Sequence, residues 1–195
     1  MDIGGFWILL ARSAQQTTNP RQRLRWLEKR LSRASLAHVE DFQVHLDTAR
    51  LPIDTYAMWG AASQIMGGVC SGDSFWYFQP WLIGLGRQWY DLAAGNPDDL
   101  ADVPAVRALA GRETQDWGDA QWPEWESLDD VARRVHERMT GQPDSIYDAL
   151  AARGHRHRSD PAPADSAWDF DSSTEIQRRL PRLAALFPRQ QHVRA

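Results

Sequence analysis

The stretch "GGVCSGDSFWYFQPWLIGLGRQWYD", residues 67–91, decides how the chain is read. Gly67 and Gly68 end what precedes them, and Ser71-Gly72-Asp73 offers side-chain oxygens to the free N–H groups of a new helix. Asp73 is read as the N-cap of "SFWYFQ". Pro80 then falls in a helix interior, where it lacks an N–H and its ring strikes the preceding turn, at a cost of about 3 kcal/mol or more. A kink or a fresh helix starting at Pro80 is therefore expected. From that restart Leu82, Leu85, Trp89 and Leu92 share a face, and Gly95 stands past its end. Gly84 and Gly86 each weaken a helix by about 1 kcal/mol relative to alanine, so they mark close approach of backbone to a neighbour or a ligand.

Outward from this centre the punctuation is helical. Asn19-Pro20 followed by Gln22 reads as cap, first-turn proline and capping partner, with Leu24, Leu27 and Leu31 on one face. Ser35 caps a segment carrying Leu36, Val39, Phe42 and Leu46 at helical spacing. Pro52 opens "PIDTYAMWGAASQIMGG", and Ser127 opens a segment with Leu128, Val131, Val135 and Met139 inward and Gly141 past its end. Asn96-Pro97 starts another with acids in its first turn. Sustained apolar/polar alternation is missing. The fold class expected is mainly α, a compact single-domain, bundle-like array of about six to eight helices.

Length and composition bound the rest. A chain of 195 residues suits one domain, with 43% hydrophobic and 25% charged residues as in an ordinary globule. Residues 1–153 read as the helical core and 154–170, polar and proline-rich, as a linker-like loop. Residues 171–195 read as a C-terminal helix docking on the core, opened by the Ser172/Glu175 capping box and frayed at its end. The sole cysteine, Cys70, excludes an internal disulfide and a multi-thiolate zinc site. The first apolar run is too short for a signal or membrane segment, so a cytoplasmic protein without a membrane is expected. A formal net charge of −4 disfavours nucleic acid as partner, although Arg21, Arg23, Arg25, Lys29, Arg30 and Arg33 cluster in one segment.

The centre of the chain resembles a widespread family of uncharacterised bacterial proteins, common in actinomycetes and classed as a domain of unknown function. The residues that carry the likeness are Phe6-Trp7, "WGAASQIMGG", "CSGDSFWYFQPWLIGLGRQWYD", "NPDDLAD", the acid-and-tryptophan segment from Glu113 and the late "LPRLAALF". The resemblance spans nearly the whole chain and implies a compact helical domain, with no activity to carry over. The family pattern has an acid and an arginine where this chain has Gly72 and Gln79. Of a charged site built on those positions only Asp73 would remain.

Candidate chemistry is sparse. Ser71 and Asp73 could serve as a hydroxyl and general base, or simply cap a helix. Cys70 lacks any Cys-His signature and reads as a core residue. Arg87 and Asp91, four apart, could pair, or Arg87 could hold an anion. His38, Asp41 and His45 share a face read as solvated, and "HRHR" at 155–158 reads as a solvated basic run within the linker. Trp59, Trp76, Trp81 and Trp89, with Trp117, Trp122 and Trp125 in a loop, suit core filling or an aromatic binding surface. No HExxH, GxSxG, phosphate loop or Cys/His zinc spacing occurs, so neither cofactor nor metal is expected. The expected function is a small binding domain that meets a protein partner through a Trp-rich face, with Trp59, Ser71, Asp73, Trp81 and Arg87 as its binding residues. The alternatives are a small or degenerate enzyme, with Asp73 as acid/base and Arg87 as anion holder, and a nucleic-acid-associated regulator acting through Arg21–Arg33.

Overall fold

The computed structural model describes residues 1–189. Among these residues all regular structure is helical and no strand forms, as the mainly-α expectation requires. The helices are shorter and more numerous than expected. In chain order they are α1 (Ile3–Gln16), α2 (Pro20–Leu31), α3 (Leu36–Arg50), α4 (Tyr56–Ile65), α5 (Gly72–Gly84) and α6 (Arg87–Gly95). Then follow α7 (Pro104–Arg107), α8 (Glu126–Asp129), α9 (Val131–Thr140), α10 (Ser145–Ala152), α11 (Ser173–Arg179) and α12 (Pro181–Leu186). Pro52 sits in a 3-10 turn, Leu51–Ile53, and the helix after it begins only at Tyr56, with Thr55 accepting from the Met58 N–H at 3.0 Å. Likewise the Asn-Pro start at 96–97 yields a 3-10 turn, Pro97–Asp102. The helix expected from Ser127 is split into α8 and α9, and Met139 lies exposed.

Helix α5 is the axis of the fold, packed on α1, α3, α4, α6 and α8. Its Phe75, Phe78, Leu82 and Ile83 join Phe6 and Leu10 of α1 and Phe42 and Leu46 of α3 in one buried cluster. Full burial of a side chain of this size stabilises by roughly 1.5–3 kcal/mol, so this cluster dominates the folding free energy. Among the described residues no helix is long and apolar enough to cross a membrane.

Two expectations about α5 are corrected. Ser71, not Asp73, is its N-cap: the Ser71 hydroxyl accepts from the Ser74 N–H at 3.1 Å, while Asp73 lies exposed in the first turn, where the helix dipole favours a carboxylate. Nor does the helix restart at Pro80; it runs through to Gly84. The proline is tolerated because other groups take up the backbone acceptors of the preceding turn. The Trp76 carbonyl, four residues before the proline, accepts from Arg50 Nη1 at 2.8 Å, and the Tyr77 carbonyl accepts from the Trp125 N–H at 2.9 Å. The break comes instead at Gly86, whose φ of +100° lies in the region that suits glycine.

Gly84 is the close approach anticipated from its sequence position. A Cβ there would stand 2.6 Å from the Trp125 ring. The Arg23 guanidinium lies 4.5 Å from the centre of that ring and donates to the Gly84 carbonyl at 2.7 Å and to Ser13 Oγ. Trp117 and Trp125 are both buried, so the loop tryptophans pack inward. The His38/Asp41/His45 face is not simply solvated: Asp41 pairs with Arg153, and His45 hydrogen-bonds the Met1 carbonyl at 3.0 Å.

Residues 154–170 form no helix and run as a strap across α3 and the start of α4. Asp165 accepts from the Tyr56 and Ala57 N–H groups, capping α4 from a distance in sequence. Trp168 donates to the Tyr56 carbonyl at 3.1 Å and lies so close to Gly60 that a Cβ there would be 2.0 Å from its ring. Beyond the strap, Ser172 caps α11, and the buried Asp98 carboxylate accepts from the Arg182 and Leu183 N–H groups at the start of α12. The frayed end expected of the 171–195 segment falls on residues outside those described.

A candidate ligand-binding cavity

The end of α3 supplies the first part of the site. Val39, Phe42 and Leu46 set an apolar stripe on this helix, and Arg50 continues it one turn further, so a guanidinium enters the core with only 3% of its residue surface exposed. A buried charge must be paired or solvated by fixed dipoles. Besides the Trp76 carbonyl, Arg50 Nη1 donates to Gln79 Oε1 at 3.0 Å, and the guanidinium stacks 3.7 Å over the Trp76 ring. Its Nη2 lies 2.7 Å from Asp129 Oδ1, an ion pair whose angle is not that of a hydrogen bond. Asp129 in turn accepts from Trp76 Nε1 at 2.9 Å. Arg50 Nε has no partner among the described residues.

The 3-10 turn after α3 buries a carboxylate, Asp54. It accepts from Gln79 Nε2 at 3.2 Å, from Arg158 Nη2 at 2.9 Å and from the Ala162 N–H at 2.9 Å. Gln79 thus bridges Arg50 and Asp54 through its two amide atoms, oxygen to the cation and nitrogen to the anion. An arginine at this position would set a second cation beside Arg50, so a neutral amide suits these neighbours.

The strap closes the third side. His155 Nε2 lies 2.8 Å and His157 Nδ1 3.0 Å from Asp47 Oδ2, while Gln43 donates to Asp47 Oδ1 at 2.8 Å. The "HRHR" run is therefore not a solvated segment: both histidines and Arg158 are drawn onto carboxylates of the core. Burial works to lower the His157 pKa, but the hydrogen bond and charge of Asp47 prevail and hold it above its ordinary value of 6.5. For Asp47 burial works upward, and the hydrogen bonds from His157, His155 and Gln43 together hold it below the usual carboxylate value.

Between these parts lies a cavity of about 260 Å³. Arg50, Asp54 and Trp76 form its deeper wall, Asp47, Thr48 and Leu51 its flank, and His155, Arg156 and Arg158 the strap side. The volume is that of a small ligand or several waters, below the range of drug-sized pockets. Arg156 makes no hydrogen bond or ion pair among the described residues and also lines an outer depression formed by residues 156–162. Three arginines line the cavity, Arg50, Arg156 and Arg158, and Arg158 is paired with Asp54. Asp54 and Asp129 are already engaged. His155 is held through Nε2 on Asp47.

The residues expected to form a site do not line this cavity. Ser71 caps α5, Asp73 is exposed, and Arg87 pairs with Asp91 at 3.3 Å with both side chains largely in water. Trp59 donates to the Cys70 carbonyl at 3.0 Å and stacks on Phe75; Trp81 packs on Phe78. Burial, aided by Glu124 and opposed by Trp59, pushes the Cys70 thiol up to about 12, so a thiolate is not available near neutrality. Among the described residues no cluster of three or more His, Cys, Asp or Glu side chains could hold a metal ion. Two signals in the sequence could have found the cavity: an arginine standing in the apolar stripe of α3, and two histidines alternating with arginines within reach of an acidic core.

The family model described as "Protein of unknown function (DUF4240)" matches residues 1–138. The chain belongs to that family. The match ends within α9, so "LPRLAALF" lies beyond it, as do the three strap residues of the cavity, and the resemblance covers less of the chain than the late motif suggested. No curated protein and no solved structure matches the chain.

Proposed function

We propose that the protein binds a small anion, a carboxylate or phosphate, in the cavity between α3, α5 and the strap. The observation that carries this reading is the pair of arginines that line one cavity, Arg50 buried and Arg156 without an ion pair among the described residues. The tryptophan face draws less support as a partner surface, because Trp76, Trp117 and Trp125 are buried.

The test is thermal unfolding with inorganic phosphate and with malonate as probes. At ten times Kd a ligand adds about 1.4 kcal/mol, which for a chain of this size raises Tm by roughly 3–6 °C. Arg156→Ala should abolish the rise without lowering the unliganded Tm, since Arg156 holds nothing in the fold. No rise with either probe, or an equal rise in Arg156→Ala, removes the reading. A catalytic extension has one supporting observation, the Asp47–His155 pair, which is the arrangement that orients an imidazole for proton transfer.

A further inference from the structure

Helix α2 turns two unlike faces outward and inward. Arg23, Leu27 and Leu31 are buried, whereas Arg21, Arg25, Lys29 and Arg30 are exposed, and Arg33 follows just past the helix end. Arg21, Arg25 and Lys29 stand four residues apart, so they succeed one another along one side at about 6 Å per step. The helix has a single carboxylate, Glu28, and it is turned towards α9, where it meets Arg134 at 3.2 Å and Arg138 at 3.7 Å.

Among the described residues Arg21, Arg25, Lys29, Arg30 and Arg33 form no ion pair. Arg12, Arg107, Arg112 and Arg156 are likewise without an ion pair, but they are scattered along the chain, whereas many other arginines are paired. Arg50, Arg133, Arg153, Arg158, Arg178, Arg179 and Arg182 all pair with acids. In a chain of net charge −4, five cations without an ion pair among the described residues lie on the outer face of α2 and just past its end. Half-exposed among them is Trp26, whose ring centre lies 5.8 Å from the Arg30 guanidinium carbon.

We infer that this face binds single-stranded nucleic acid, the cations tracking successive phosphates and Trp26 offering a flat surface to one base. Unpaired cations at regular spacing beside a partly exposed indole are the elements a sequence-general single-strand groove uses. The overall acidity does not oppose this at short range. Screening acts over about 8 Å at physiological ionic strength, so acids on other faces contribute little at α2. The inference is independent of the cavity and stands or falls without it.

The experiment is fluorescence anisotropy of the full chain with a labelled oligothymidylate, a duplex of equal length and anionic phosphatidylserine vesicles. For four phosphates neutralised, affinity for the single strand should fall about 50-fold between roughly 50 and 200 mM salt. The exposed double change Arg25→Glu/Lys29→Glu should weaken binding at least tenfold and, because two of the four phosphates then go unneutralised, about halve the salt slope. Trp26→Leu, which keeps the apolar packing, should weaken the single strand more than the duplex. Arg156→Ala should leave all of this unchanged. Binding that survives the double charge reversal overturns the inference, as does capture of the vesicles with the oligonucleotide left unbound.

Discussion

At the scale of single residues, the fold turns on side chains that complete someone else's backbone. Arg50 takes up the carbonyl that Pro80 leaves without a partner, and Arg23 takes up the Gly84 carbonyl beneath Trp125. Arg23 does this without a carboxylate, and burial lowers its pKa to about 10, still well above neutrality. Gly84→Ala would put a methyl group 2.6 Å from the Trp125 ring, and Trp125 is hemmed in by Arg23 and the Tyr77 carbonyl. Overpacking of this kind costs about 1–3 kcal/mol, to be read as a lowered midpoint with unchanged slope in urea unfolding. Cys70 gives a second check at this scale. With its thiol held at about 12, it should resist iodoacetamide at pH 8 in the native protein and react readily once unfolded in urea.

At the scale of elements, the strap is the piece whose attachment is chemically tunable. His157 titrates above its ordinary value in the folded protein, so its bond to Asp47 contributes fully below about pH 6.5 and is lost as pH rises through the raised value. Asp47, held low, contributes above its unfolded value near 3.8 and loses that contribution as pH falls through the lowered one. The strap should therefore be most firmly held between roughly pH 4 and 6.5. Hydrogen exchange at residues 155–164 should quicken as pH is raised past this window, after correction for intrinsic rates, and His157→Gln should remove the dependence. Gly60→Ala tests the other end of the strap. A Cβ there would stand 2.0 Å from Trp168, so the indole must leave and Trp168 fluorescence and strap exchange should change together.

At the scale of the whole molecule, acid should loosen the protein from several points at once. Asp41, Asp47, Glu137 and Glu175 are all held below their usual values, Glu175 at about 2 by Arg178 and Arg179. Their contributions are present above the unfolded carboxylate range and vanish as pH falls through the lowered values, so Tm should decline steeply below about pH 4. A Tm that stays level to pH 2 would contradict these assignments.

Much of this architecture is legible in the residues alone. The mainly-α class, the caps at Asn19, Ser35 and Ser172 and the inward Val39, Phe42 and Leu46 of α3 follow from residues within a turn or two of each other, while Leu36 of the expected stripe lies exposed. Those signals are local, because a cap or a 3.6-residue period is written in neighbouring side chains. The run through Pro80 is not legible, since its rescue comes from Arg50 and Trp125, far along the chain. The cavity is less legible still. His155 and Asp47 are separated by 108 positions, and Arg158 and Asp54 by 104. By itself the sequence determined the helical class, several helix caps and part of the buried faces, through interactions that span a few residues. Only the tertiary structure decided that a proline-rich loop lies against α3 and turns an apparently solvated His-Arg run into the wall of a charged cavity. The reason is physical: what a polar side chain does depends on which partner the fold brings within about 3 Å, and no local pattern encodes that.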